Sequence, residues 1–134
     1  MSEFALHERL AADTAFVADW ALSRVLLMND ARYAWLVLVP RRVGAVELFD
    51  LGEGDRTTLA EETARAAKLL KTTGGAAKIN VGALGNLVPQ LHVHVVARNP
   101  GDPAWPGPVW GHSPAVPYEA TARDALIAQI VKAR

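Results

Sequence analysis

The hydrophobic positions along the chain fall into short runs of strand length and two stretches of helical period. Phe16-Val17, Arg24-Val25-Leu26-Leu27-Met28 and Trp35-Leu36-Val37-Leu38-Val39 predict three strands, the last stopped by Pro40. Between the second and third, Asn29-Asp30-Ala31-Arg32 has turn chemistry, because Asn and Asp hydrogen-bond their own main chain. Ahead of them, Leu6, Leu10 and Ala11 suggest a turn or two of amphipathic helix. From about Asp55 to Lys71 the period is helical, with Leu59, Thr63, Ala66 and Leu70 on one face and Glu61, Glu62, Arg65, Lys68 and Lys71 turned elsewhere. Thr58 with Glu61 has capping-box spacing, Asp55 is a competing cap, and Gly74-Gly75 supplies the stop. Lys78 to Val81 and Leu91 to Ala97 then alternate as strands, Pro100 to Pro117 reads as an irregular loop, and Glu119 to Lys132 reads as a second helix. Three strands, a helix, two strands and a helix predict an α+β fold with a largely antiparallel sheet.

Gln90-Leu91-His92-Val93-His94-Val95-Val96-Ala97 is the most informative segment. Side chains on a strand alternate, so Leu91, Val93, Val95 and Ala97 belong against a helix. Gln90, His92, His94 and Val96 share the opposite face, where two imidazoles and an amide in a row can line a pocket. A single histidine there reads best as a hydrogen-bonded structural residue. Two at alternate positions beside a Gln favour chemistry. Metal binding by His92 and His94 is a second functional reading, but the chain has no Cys, and only distant His7, His112 or a carboxylate could complete the shell.

The preceding Asn80-Val81-Gly82-Ala83-Leu84-Gly85-Asn86-Leu87 brings two glycines to a connection that opens onto the histidine strand. Glycine lets main-chain N–H groups approach an anion closely, although glycines in hairpin connections usually serve turn geometry. It is neither a P-loop nor a dinucleotide fingerprint. Composition narrows the field further. The chain has 134 residues, 14 basic and 14 acidic side chains, and no formal net charge, which removes the footprint of a dedicated nucleic-acid binder or of a protein held to anionic lipid. It shows neither a signal-peptide pattern nor an apolar run of membrane-spanning length, so a single soluble, cytoplasmic domain is the expectation.

These residues resemble the histidine triad (HIT) superfamily, whose signature is His-φ-His-φ-His-φ-φ with φ hydrophobic; here the line reads Gln90-Leu91-His92-Val93-His94-Val95-Val96. The resemblance extends to Asn80–Leu87, to Leu27-Met28-Asn29-Asp30 with Leu36 to Arg42, and to Trp105-Pro106, a core of about residues 15–110 followed by the 100–134 loop and helix. It looks like the bacterial HIT-like hydrolases with glutamine at the first triad position. It implies a HIT-like fold, a five-stranded antiparallel sheet with two main helices. It also implies nucleotidyl transfer, in which His92 attacks the α-phosphorus of a nucleoside phosphoramidate or dinucleoside polyphosphate, and His94 helps hold phosphate oxygens. By the same resemblance, Asn29 or Asp30 would grip the ribose, and Asn80, Gly85, Asn86 and Leu87 would contact the α-phosphate. A homodimer acting on a purine nucleotide is implied, with no required cofactor; magnesium would enter only with a polyphosphate. Trp105 and Trp110 are read as packing residues that also shape the pocket rim, and Arg41, Arg42 and Arg98 as solvated strand-end charges.

Gln90 departs from the signature. An amide donates and accepts hydrogen bonds but shuttles no proton at neutral pH, so the first position keeps at most a positioning role. The alternatives are therefore a working hydrolase, a nucleotide-binding module with little turnover, and a His92/His94 metal domain.

Overall fold

Both faces of the central strands are buried, which is why their sequences read as continuous apolar runs. The computed structural model describes residues 3–133. Strands β1 (Thr14–Asp19), β2 (Ser23–Met28), β3 (Trp35–Pro40), β4 (Lys78–Gly82) and β5 (Val93–Arg98) form one antiparallel sheet in the order β1-β2-β3-β5-β4. Helix α1 (Glu8–Asp13) precedes the sheet, α2 (Glu53–Gly74) follows β3, and α3 (Ala120–Lys132) closes the chain. The expected five-stranded antiparallel sheet is present, with a short 3-10 turn at Leu48–Asp50 that the sequence pattern does not predict.

One layer of core lies between the sheet and α2. Val25, Leu27, Leu36, Leu38, Val93, Val95 and Ala97 from the strands meet Leu59, Ala66, Leu69 and Leu70 from the helix, with Ile130 of α3 alongside. A second layer lies on the opposite face, where Leu26, Trp35, Val37, Val39 and Val96 pack with Leu10, Tyr33, Val88, Ala104 and Val109. The register pairs Val37 with His94 and Trp35 with Val96, so the histidines stand in this second layer. The Pro100 to Pro117 loop covers it, and Gly82 permits close approach there: a Cβ at Gly82 would sit 3.1 Å from the Trp110 ring.

Three expectations need correction. Helix α2 starts at Glu53 with Gly52 as its N-cap, so Thr58 and Asp55 lie inside the helix and Thr58 Oγ1 hydrogen-bonds the Gly54 carbonyl instead of capping. Gly75 at φ 65° ends it as expected. Glu62 is buried rather than turned outward, and its carboxylate accepts from the main-chain N–H groups of Leu22 and Ser23, each at 3.0 Å, pinning the β1–β2 turn to the helix. Arg98 is 1% exposed, not solvated. Its guanidinium grips Asp102 at 2.8 and 3.0 Å and donates to Asn80 Oδ1 at 2.8 Å. Among the described residues no helix is long and apolar enough to cross a membrane.

Candidate functional site

Strand β5 begins at Val93, so His92 sits just ahead of it and His94 within it. Both rings are buried, with centroids 4.8 Å apart. His92 Nδ1 lies 2.6 Å from the main-chain oxygen of Gln90. A carbonyl only accepts, so Nδ1 carries the proton and Nε2 keeps its lone pair. His94 is in the opposite tautomer: its Nδ1 accepts from the Trp35 indole N–H at 3.0 Å, which leaves the proton on Nε2. Burial, and secondarily the neighbouring His92, push the His94 pKa down to about 4. One ring thus offers an unshared pair and its neighbour offers an N–H. Trp35 and Trp110 meet the His94 ring edge-on, each with a centroid separation of 5.6 Å.

His92 and His94 line a cavity of about 530 Å³, a volume within the range of small-molecule sites. Its apolar wall includes Leu10, Met28, Trp35, Val109 and Trp110, and Gly85, Asn86 and Leu87 form another side. Gly85 adopts φ 71°, a left-handed conformation that a side chain would resist. Arg9 and Arg32 line the cavity as well, but Arg32 is paired with Asp30 at 3.0 Å and Arg9 with Asp13 at 3.7 Å. Arg32 also donates to Ser113 Oγ, which ties the loop over the site to the β2–β3 turn.

The sequence-predicted residues separate into two groups. Asp30, Gly85, Asn86, Leu87, His92 and His94 are brought together around the cavity. Burial pushes the Asp30 carboxyl up, but hydrogen bonds from Arg32 and from the Val116 N–H outweigh it and hold the group below the usual carboxylate range. Asn29, Asn80 and Gln90 are not on that wall. Asn29 Oδ1 accepts from the Tyr118 N–H at 2.9 Å, and Asn80 Oδ1 is the acceptor for Arg98. The Gln90 side chain turns to the N-terminal segment, accepting from the His7 N–H at 2.8 Å and donating to the Ala5 carbonyl at 2.9 Å. The strand-alternation argument places Gln90 with the histidines; the strand starts three residues later, so alternation does not reach it.

Trp35, which sets the His94 tautomer, was missed as a site residue. Its signal was an indole N–H at the head of an otherwise aliphatic strand, a donor that must find an acceptor once buried. For the metal reading, His92 and His94 lack companions: among the described residues no group of three or more His, Cys, Asp or Glu side chains comes together.

Comparison with known proteins gives a consistent result. The model of the HIT domain family matches residues 9–101. Among solved structures, a histidine triad (HIT) protein from Sinorhizobium meliloti 1021 is 47% identical with a TM-score of 0.95, each chain covered to 96%. A histidine triad protein from Bradyrhizobium japonicum is 46% identical with a TM-score of 0.94, again covering 96% of each chain. One from Marinobacter aquaeolei VT8 is 45% identical with a TM-score of 0.94, covering 96% of this chain and 94% of that one. No curated protein matches.

Proposed function

The chain belongs to the HIT domain family, and from that premise we propose that it is a nucleotide hydrolase or nucleotidyl transferase. It attacks the α-phosphate of a nucleoside phosphoramidate or dinucleoside polyphosphate through a covalent nucleotidyl-histidine. The observation that carries this reading is the 2.6 Å approach of His92 Nδ1 to the Gln90 carbonyl, which leaves Nε2 as a nucleophile beside a nucleoside-sized cavity.

In the first half-reaction, the Nε2 lone pair forms a bond to phosphorus, and the leaving group departs with the electron pair of the bond that breaks. An amine leaving group takes a proton from solvent. The proton stays on Nδ1, donated to the Gln90 carbonyl, whose oxygen steadies the positive charge the ring acquires. His94, held neutral by burial, donates its Nε2–H to a phosphoryl oxygen as charge accumulates there. Main-chain N–H groups of Gly85 to Leu87 serve the same anion. In the second half-reaction water adds to phosphorus and loses a proton, and Nε2 recovers its pair. The apolar wall of Leu10, Met28 and Val109 receives a purine base, and Asp30 is the ribose-side carboxylate. No metal is assigned to the nucleophile; magnesium accompanies only a polyphosphate substrate, as its counter-ion.

A second reading, a nucleotide-binding module with little turnover, draws on the Gln90 amide, which is engaged by Ala5 and His7 and transfers no proton. One experiment separates the two. The protein is incubated with adenosine phosphoramidate, quenched and examined by mass spectrometry, with His92→Ala as control. An adenylate adduct on His92, lost in the variant and accompanied by AMP release, is expected. Nucleotide affinity with neither adduct nor product overturns the enzyme reading.

We also propose a homodimer, formed where the unpaired edge of β4 exposes Val81 on the helix side of the sheet. Val81→Asp should halve the solution mass; an unchanged mass on sedimentation would contradict it.

A further inference from the structure

A second cavity, of about 310 Å³, lies on another side of His92. Leu84, Gly85 and His92 line both cavities, so they form the partition between them. The two spaces differ in chemistry. The smaller is walled mainly by Val46, Leu48, Phe49 and Leu84, with the Glu47 carboxylate the one acidic side chain among its described lining residues. Phe49 is 78% exposed, an unusual state for a phenyl ring, and Val46, Leu48 and Leu84 are exposed with it. No lysine or arginine is among the described residues of this wall, whereas in the larger cavity Arg9 and Arg32 stand beside their partners Asp13 and Asp30.

A phosphorus centre at the His92–Gly85 partition has two substituents to place. The nucleoside takes the larger space, so the other substituent is directed to the smaller. We infer that this smaller cavity is the subsite for the departing group and that it takes an apolar amine rather than a phosphate chain. The inference rests on the nucleotidyl-transfer reading above and selects between its two substrate classes. A phosphate chain there would meet a carboxylate and no cation, and would leave the apolar wall in water. An amine with an aliphatic or aromatic body covers Phe49 and Leu48, and Glu47 attracts the ammonium group it becomes. The chemistry balances as for any phosphoramidate: the P–N bond breaks, its electron pair leaves with nitrogen, nitrogen takes a proton from solvent, and the phosphorus passes to His92 Nε2 and then to water.

The test compares kcat/KM for three compounds: the adenosine phosphoramidates of methylamine and of 2-phenylethylamine, and diadenosine tetraphosphate. The phenylethylamine compound should exceed the methylamine compound by at least about tenfold, the effect expected of burying one phenyl group, and diadenosine tetraphosphate should be the poorest. Phe49→Ser should reduce the preference for the phenylethyl compound to about threefold or less. Because that ring is exposed, the substitution leaves the fold intact. Glu47→Lys should shift the ratio toward diadenosine tetraphosphate. Adducts on His92 without the size and charge preference would overturn this inference and leave nucleotidyl transfer standing. So would a Phe49→Ser protein whose mass in solution falls while its substrate ratio is unchanged, since the wall would then be covered by a second copy. Absence of an adduct with all three compounds removes the nucleotidyl-transfer reading, and this inference with it.

Discussion

The indole N–H of Trp35 donates to Nδ1 of His94 at 3.0 Å, across the β3–β5 boundary. That bond decides which nitrogen of a buried imidazole faces the cavity as a donor. Without it, both tautomers become accessible and a fraction of the rings presents a lone pair to an anion, which repels it. Trp35→Phe keeps an aromatic ring in the layer and removes the N–H together with part of the indole's volume. It should cost about 1–3 kcal/mol of stability, because a buried acceptor loses its partner. Turnover should fall about tenfold, the equivalent of one weakened transition-state hydrogen bond, with a smaller change in KM. Nitrogen chemical shifts of His94 read the cause directly: Nδ1 should be unprotonated in the wild type and mixed in the variant. Unchanged shifts would show that Trp35 only packs.

The same burial makes stability depend on pH in a defined window. His94 has a folded pKa of about 4, while histidine in an unfolded chain titrates near about 6.5. Between those values the unfolded state binds a proton that the folded state does not, so stability falls as pH drops from about 6.5 to about 4 and is then insensitive to this group. The loss amounts to roughly 3 kcal/mol. Asp102, pushed down to about 2 chiefly by hydrogen bonds from Arg98, and Asp30 lose their contributions only below about pH 4. Urea unfolding at a series of pH values should therefore show two separable declines. His94→Gln should flatten the upper one and spare the lower. A wild-type midpoint constant between pH 6.5 and 4.5 would mean that this ring protonates in the folded state.

The order of elements was legible in the sequence because it rests on local periodicity: five strands and the two long helices all occur where the pattern placed them. The split between the faces of β5 was legible for the same reason, with Leu91, Val93, Val95 and Ala97 all packed toward α2. What stayed hidden depends on partners far along the chain. Glu62 looks like any charged helix position until the turn at Leu22-Ser23, forty residues earlier, supplies two N–H donors. Arg98 looks like a solvated strand end until Asp102 and Asn80 enclose it. Gln90 was placed by alternation, yet its direction is decided by the N-terminal segment, which no periodicity announces.

Glu62 gives a stability prediction apart from the site. Its carboxylate satisfies two buried main-chain donors. Glu62→Ala should destabilise by roughly 2–5 kcal/mol, since both N–H groups lose a charged acceptor without access to water. Glu62→Gln retains one carbonyl oxygen and should fall between the two. KM for the nucleotide should not move in either variant, because the turn lies on the helix side of the sheet. A urea midpoint in the alanine variant equal to that of the wild type would contradict the pinning role.

Placing histidine at position 90 would add an imidazole ahead of His92 and His94, and the geometry argues that it gains little. The Gln90 amide accepts from the His7 N–H at 2.8 Å and donates to the Ala5 carbonyl at 2.9 Å, so one planar group clasps two points of the N-terminal segment. An imidazole has its donor and acceptor on different edges of a ring and cannot span the same pair in the same way. Gln90→His should therefore release the segment, and hydrogen exchange at the His7 amide should accelerate by at least about tenfold, the loss of one hydrogen bond to a neutral side chain. His92 is held by the main-chain oxygen of residue 90, not by its side chain, so the His92 tautomer survives the change. Turnover should then stay within about threefold of the wild type, well below the factor expected of a general acid. An increase of about tenfold or more would show that a proton-transferring group at position 90 reaches the reacting phosphorus, and that the amide's attachment to Ala5 and His7 yields to a different geometry during catalysis.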